Sequence, residues 1–117
     1  MNTYFYFQIA AVLILGAIGQ LYFKYTSMLL NRGYEVLSLS VIGSVFLAFL
    51  SLGIASIIWI MLLRNVELSR AYPFQSFSFI LVPLLGSIIF NEQLSLPHFI
   101  GTIFLLFGII IIAKYGY

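Results

Sequence analysis

The residues with chemistry to offer are few, and they fall at helical spacings. Gly16, Gln20 and Lys24 lie four positions apart and so share one helix face. An amide inside a bilayer is unfavourable unless it finds partners, which leaves Gln20 two roles: an interhelical hydrogen bond that fixes packing, or the wall of a wet pathway. Lys24 follows at the membrane surface, where its stem can snorkel and its ammonium can meet an anionic headgroup. A second set comprises Arg70, Tyr72, Gln75, Ser76 and Ser78. Arg70 stands where a helix should begin, and free N–H groups and the helix dipole favour an anion there. With the hydroxyls and the amide just inside, this set reads as a cradle for a phosphate. The competing reading has Arg64, Glu67 and Arg70, spaced by three, neutralising one another in a solvated loop.

What must position these groups follows from composition. The chain has 117 residues, of which 63% are hydrophobic, 18% aromatic and 7% charged, with a mean hydropathy of +1.16. A soluble domain carries roughly 25% charged residues, so this chain cannot cover itself with a hydrated surface and is an all-α membrane protein. The sequence has no cysteine and no aspartate, which removes disulfides, thiolate metal sites and thiol nucleophiles. A net charge of +2 is too small to argue for nucleic acid. The first apolar run has no Lys or Arg before it and no small-x-small cleavage pattern after it, so it is expected to be a retained span rather than a signal peptide.

Four apolar segments are readable, at about 4–23, 36–63, 71–90 and 96–113, within a single domain over 1–117. Lys24 closes the first, Arg64 the second, and Asn91 with Glu92 the third. Pro97 suits the first turn of the fourth. Short loops force alternating directions, giving an up-and-down bundle of four transmembrane helices with both termini on one side. Arg64, Arg70 and Lys114 lie on that side and Lys24 and Arg32 on the other, so one charge decides the orientation and a dual-topology arrangement is a second reading. Four helices leave little room for an aqueous path within one chain. The expected working unit is therefore a dimer, homo or hetero.

Further positions carry structural expectations. Pro83, deep in the third segment, removes a backbone hydrogen bond and should bend the helix, either for gating or as a static fit. Glu92 lies on the membrane side of Lys24, so an ion pair across the bundle is possible, with a turn contact as the other role. Gly101 and Gly108, one heptad apart with Leu105 and Ile112 on nearly the same face, form a candidate dimer seam or a seam within the bundle. All three glutamates, Glu35, Glu67 and Glu92, fall in loops or at helix ends, so no span holds the carboxylate that a proton-coupled exporter of cations needs. His98 has no second metal ligand at helical spacing, and no Ser–His–acid set or glycine-rich phosphate loop is present. No enzyme activity, metal or cofactor is expected.

With AIGQ and Lys24 in the first segment, SRAYP opening the third and NEQLSLPHFIG leading into the fourth, the chain resembles the drug/metabolite transporter superfamily over nearly its whole length. Its size matches the small-multidrug-resistance-like branch. Drug exporters of that branch are expected to carry a first-helix glutamate near the position of Gly16, and this departure argues against cation antiport. Gly19, Gln20 and Lys24, together with Ala71-Tyr72-Pro73 and Asn91-Glu92, are more similar to the small subunits proposed to flip aminoarabinose-phosphoundecaprenol in the bacterial inner membrane. The resemblance implies a flippase subunit, paired with a like chain, for a polyprenyl-phosphate-linked sugar or similar amphiphilic anion. It singles out Arg70, Gln20 and Lys24, with Tyr72, Gln75 and Ser76 lining a groove open sideways to lipid. A small-metabolite or cationic-drug exporter without the membrane glutamate, and a non-transporting accessory subunit of a membrane glycosyltransferase, are the alternatives.

Overall fold

The computed structural model describes residues 3–116. Met1, Asn2 and Tyr117, which the single-domain reading takes in, lie outside them. Among the described residues all regular structure is helical, and four helical stretches are long and apolar enough to cross a membrane: Thr3–Asn31, Leu39–Leu63, Leu68–Phe90 and Leu96–Tyr115.

Helix α1 (Thr3–Asn31) does not stop at Lys24. A single lysine is compatible with helix, and the residues beyond it, Met28, Leu29 and Leu30, are good helix formers with Leu29 buried. The helix ends where the backbone demands it, at Gly33, whose φ of 95° favours a residue without a Cβ. There the Gly33 N–H donates to the Leu30 carbonyl and the Tyr34 N–H to the Leu29 carbonyl, the paired bonds of a Schellman cap. Lys24 therefore sits on a helix face with further turns beyond it. Helix α2 (Leu39–Leu63) starts at Ser38, whose hydroxyl accepts from the Val41 N–H at 3.4 Å.

The third crossing is broken. Helix α3 (Leu68–Ala71) gives way to a 3-10 segment (Tyr72–Phe77), and helix α4 (Ser78–Phe90) follows. Pro73 occupies the first turn of the 3-10 segment, and its missing N–H removes one bond of a continuing α-helix. Helix α4 runs on through Pro83. Asn91 ends it in the left-handed region, φ 56° and ψ 32°, which Asn tolerates better than most side chains. Helix α5 (Leu96–Tyr115) starts from an extended Ser95 with Pro97 in its first turn.

The best-packed seam joins α1 to α2. Buried Ser44, Ala48, Ser51 and Ala55 form a small-residue stripe on α2, and α1 meets it with Gly19. The Ser51 hydroxyl donates to the Leu15 carbonyl at 2.6 Å. Thr26 Oγ1 and Ser44 Oγ lie 2.6 Å apart across the same seam. At one end of the molecule Phe5, Ile9, Leu62, Ala71 and Phe74 form an apolar cluster, with the Phe5 and Phe74 rings edge-on at 5.3 Å. Helix α4 lies against α1, and α5 contacts the 3-10 segment. The result is an open slab, 50 × 37 × 18 Å, rather than a closed bundle. Gly86 is the buried residue of α4 and Ile109 that of α5, so both helices present apolar side chains outward along most of their length.

Candidate functional site

A cavity of about 380 Å³ opens between α1, α4 and the turn into α5. Helix α1 contributes Gln20, Leu21 and Lys24, and α4 contributes Val82, Pro83, Gly86 and Phe90. The turn adds Glu92, Gln93 and Leu94, and α5 adds His98. The wall is thus apolar on the α4 side and polar at one mouth.

That mouth is built by backbone geometry. Because Asn91 turns the chain into the left-handed region, Glu92 folds back along α4 instead of pointing away from it. Its Oε1 occupies the space beside Gly86: a Cβ there would stand 2.8 Å from that oxygen. Its Oε2 reaches to 3.6 Å from Lys24 Nζ, with the two side chains 46% and 49% exposed for Lys24 and Glu92. This is the ion pair that the sequence made possible. Charge-assisted hydrogen bonds run at about 2.7–2.9 Å, so the pair is in electrostatic contact without being locked. A half-exposed pair of this kind contributes about 0–1 kcal/mol. Its charges therefore remain available to a third party.

Gln20 lines this cavity and is exposed in the isolated chain, although it lies well inside α1. An amide at that depth requires water or a covering partner, because lipid tails offer it nothing. Gln20, Lys24 and Glu92 are therefore brought together. Pro83 sits in the wall beside them, and its ring leaves the Phe79 carbonyl without the usual helical donor.

The other candidates lie elsewhere. Tyr72 and Ser76 line a groove of about 500 Å³ with Pro73, Gly101, Leu105, Gly108 and Ile112, so the glycine stripe of α5 faces the 3-10 segment of its own chain across an open groove. Gln75 lines a smaller cavity of about 190 Å³ with Gly16, Ser56, Trp59 and Ser78. The expected single groove is thus divided into three separate spaces. Arg70 is exposed on α3. It belongs to the end of the molecule where Phe5 packs, about 28 Å along α1 from Lys24 at the standard helical rise.

Sequence reasoning missed Gly86, Gln93 and His98 as neighbours of Lys24. The signal was present in Gly86 and Asn91: a glycine on the last turns of a helix and an asparagine just past its end are what a side chain folding back onto that helix needs.

Comparison with known proteins places the chain among membrane transport subunits by sequence similarity. The chain is 37% identical over 67 residues, 57% of its length and 59% of the relative's, to the probable 4-amino-4-deoxy-L-arabinose-phosphoundecaprenol flippase subunit ArnE of Yersinia pestis (strain Pestoides F). The corresponding protein of Yersinia pseudotuberculosis serotype O:3 is equally similar, at 37% over 67 residues. That of Pseudomonas fluorescens is 27% identical over 74 residues, covering 63% of this chain and 65% of the relative. The chain thus matches less than two thirds of the length of these relatives. No solved structure matches. Residues 2–114 match the model of the EamA-like transporter family. The chain is a multi-pass inner-membrane protein and belongs to the EamA-like transporter family.

Proposed function

We propose that this chain is one subunit of a flippase for a polyprenyl-phosphate-linked sugar, and that the cavity at Gln20, Lys24 and Glu92 receives the polar headgroup. The observation that carries the reading is the cavity's asymmetry. A charged mouth and an amide stand on one side and an apolar α4 wall on the other, which suits an amphiphile whose tail stays in hydrocarbon. The similarity to chains named as aminoarabinose-phosphoundecaprenol flippase subunits supports the same solute class. Arg70, with Tyr72 and Ser76, forms a second polar station toward the opposite end, where the phosphate is held before or after crossing. Gln75 and Ser78 offer hydrogen bonds between the two stations.

The working unit in this reading is a pair of like chains, homo or hetero. Gln20 is uncovered, and α4 and α5 bury little against their own chain. A second chain against this open side would complete the pathway, with the α5 stripe at Gly101, Leu105, Gly108 and Ile112 as the seam. Membrane lipids cover the remaining apolar surface.

The test is reconstitution into vesicles carrying an aminoarabinose-phosphoundecaprenol in one leaflet, alone and with a paralogous small subunit. Appearance of the sugar in the other leaflet, read by an amine-reactive membrane-impermeant probe, is the expected result. If the lipid stays put under both conditions while the protein is folded, the reading is wrong.

A further inference from the structure

Glu92 stands in the headgroup cavity as a carboxylate held in place by three features of the chain. The left-handed Asn91 turns it back toward the helix, the absent side chain of Gly86 leaves room for Oε1, and Lys24 Nζ draws Oε2 to 3.6 Å. A site meant only for a phosphate would gain nothing from this arrangement, because a carboxylate beside the lysine repels the anion and competes for its charge. The pair is nonetheless complementary to one ligand class. A headgroup carrying both an ammonium and a phosphate can insert between the partners, placing its phosphate on Lys24 and its ammonium on Glu92, so that every charge exchanges one opposite partner for another. A headgroup with phosphate alone would leave Glu92 unpaired beside an anion.

We infer that Glu92 is a specificity-determining residue, selecting headgroups that bear a protonated amine, with Lys24 and Glu92 acting as a charge pair that a zwitterionic headgroup opens. The inference rests on the headgroup reading of the cavity. The shared chemistry is ammonium plus phosphate, which an aminosugar-phosphate lipid and an ethanolamine phospholipid both carry.

The experiment uses the full chain in nanodiscs of phosphatidylglycerol, which brings no amine. Two probes are titrated: a short-chain polyprenyl phosphate bearing 4-amino-4-deoxy-L-arabinose, and the same lipid with its amine N-acetylated. Wild type is expected to prefer the free amine by on the order of tenfold, the discrimination of one charge-assisted contact. In Glu92→Gln the ratio should fall to near one. Gly86→Ala gives a second route to the same end, because its Cβ meets the Glu92 carboxylate and no other atom closer than 4.0 Å apart from that side chain. It should lower the ratio while the protein keeps its helical signal. A ratio unchanged in both variants overturns the role of Glu92 and leaves the headgroup reading standing. Wild type binding neither probe overturns both. If phosphatidylethanolamine, added as a third arm, competes as well as the aminosugar lipid and that competition is lost in Glu92→Gln, the amine selection holds and the sugar-lipid reading fails.

Discussion

Gly19 lies so close to Leu52 that a Cβ on it would stand 2.6 Å from Leu52 Cγ and 3.3 Å from the Ala48 carbonyl oxygen. The contact sets the approach of α1 to α2. Gly19→Ala must push the branched carbon of Leu52 aside or part the helices, and overpacking of this kind costs about 1–3 kcal/mol. Gly16, one turn earlier, has nothing within 4 Å of a built Cβ. Gly16→Ala should leave stability unchanged or raise it by up to about 1 kcal/mol from helix propensity. Unfolding of both variants in mixed micelles measures the difference, and equal stabilities would refute the close-approach account.

The same seam is tied by hydroxyls. Ser51 donates to the Leu15 carbonyl at 2.6 Å, and Ser51→Ala should lower stability by about 0.6 kcal/mol and by no more than about 1.7 kcal/mol, the average and upper value of interhelical hydrogen bonds in a membrane. Thr26 and Ser44 are a different case. Thr26 Oγ1 lies 2.8 Å from the Tyr22 carbonyl oxygen, Ser44 Oγ lies 2.9 Å from that of Val41, and the two hydroxyls are 2.6 Å apart. Each hydroxyl has one proton, so when both donate to backbone the contact between them has none left. Either single alanine variant can therefore be compensated locally. A double-mutant cycle on Thr26→Ala and Ser44→Ala should give a coupling below about 1 kcal/mol. A larger coupling would mean that the hydroxyl–hydroxyl bond dominates.

The helical crossings were legible because apolar runs of membrane length leave few alternatives, and Pro97 and Asn91 mark ends as local chemistry dictates, whereas the cap at Ser38 falls inside the apolar segment read from 36. The length of α1 beyond the apolar segment that Lys24 closes was not legible, because helix and membrane span end for different reasons. A charge sets where a residue sits relative to the lipid surface, whereas a positive φ at Gly33 sets where a helix stops. The possible pairing of Lys24 with Glu92 could be read from topology, since both had to lie on one side. That Gln20, Gln75 and Ser76 line separate cavities within one chain was not legible, for another reason. The residues lie on elements whose lateral order no single-sequence periodicity encodes, and the 3-10 segment rotates its side chains away from the register of a continuous helix.

Lys24 separates stability from function. Its ion pair with Glu92 is half exposed, so Lys24→Gln should change stability by less than about 1 kcal/mol, with the change shrinking as salt is raised. Binding of a phosphate-bearing headgroup should fall by about tenfold or more, because among the residues lining the cavity Lys24 alone is a lysine or arginine. Calorimetric titration and thermal unfolding on the same preparation distinguish the two effects. A loss of stability as large as the loss of binding would make Lys24 a structural residue.

Gly108 tests the association of two chains. It lies on the open groove of α5, and a Cβ there would have nothing within 4 Å in its own chain. Gly108→Leu can therefore be accommodated by an isolated subunit, gaining helix propensity and filling part of a space of about 500 Å³. If a second chain packs its own helix into this stripe, the same leucine forces the two backbones apart, since small residues are what allow close approach in a membrane. The expected outcome is a shift from dimer to monomer in detergent, measured by light scattering with correction for bound detergent, at unchanged helical content. Phe107→Leu, at a residue exposed on α5 and outside that groove, should leave the dimer intact. Unaltered association of Gly108→Leu would place the seam on another face of the slab.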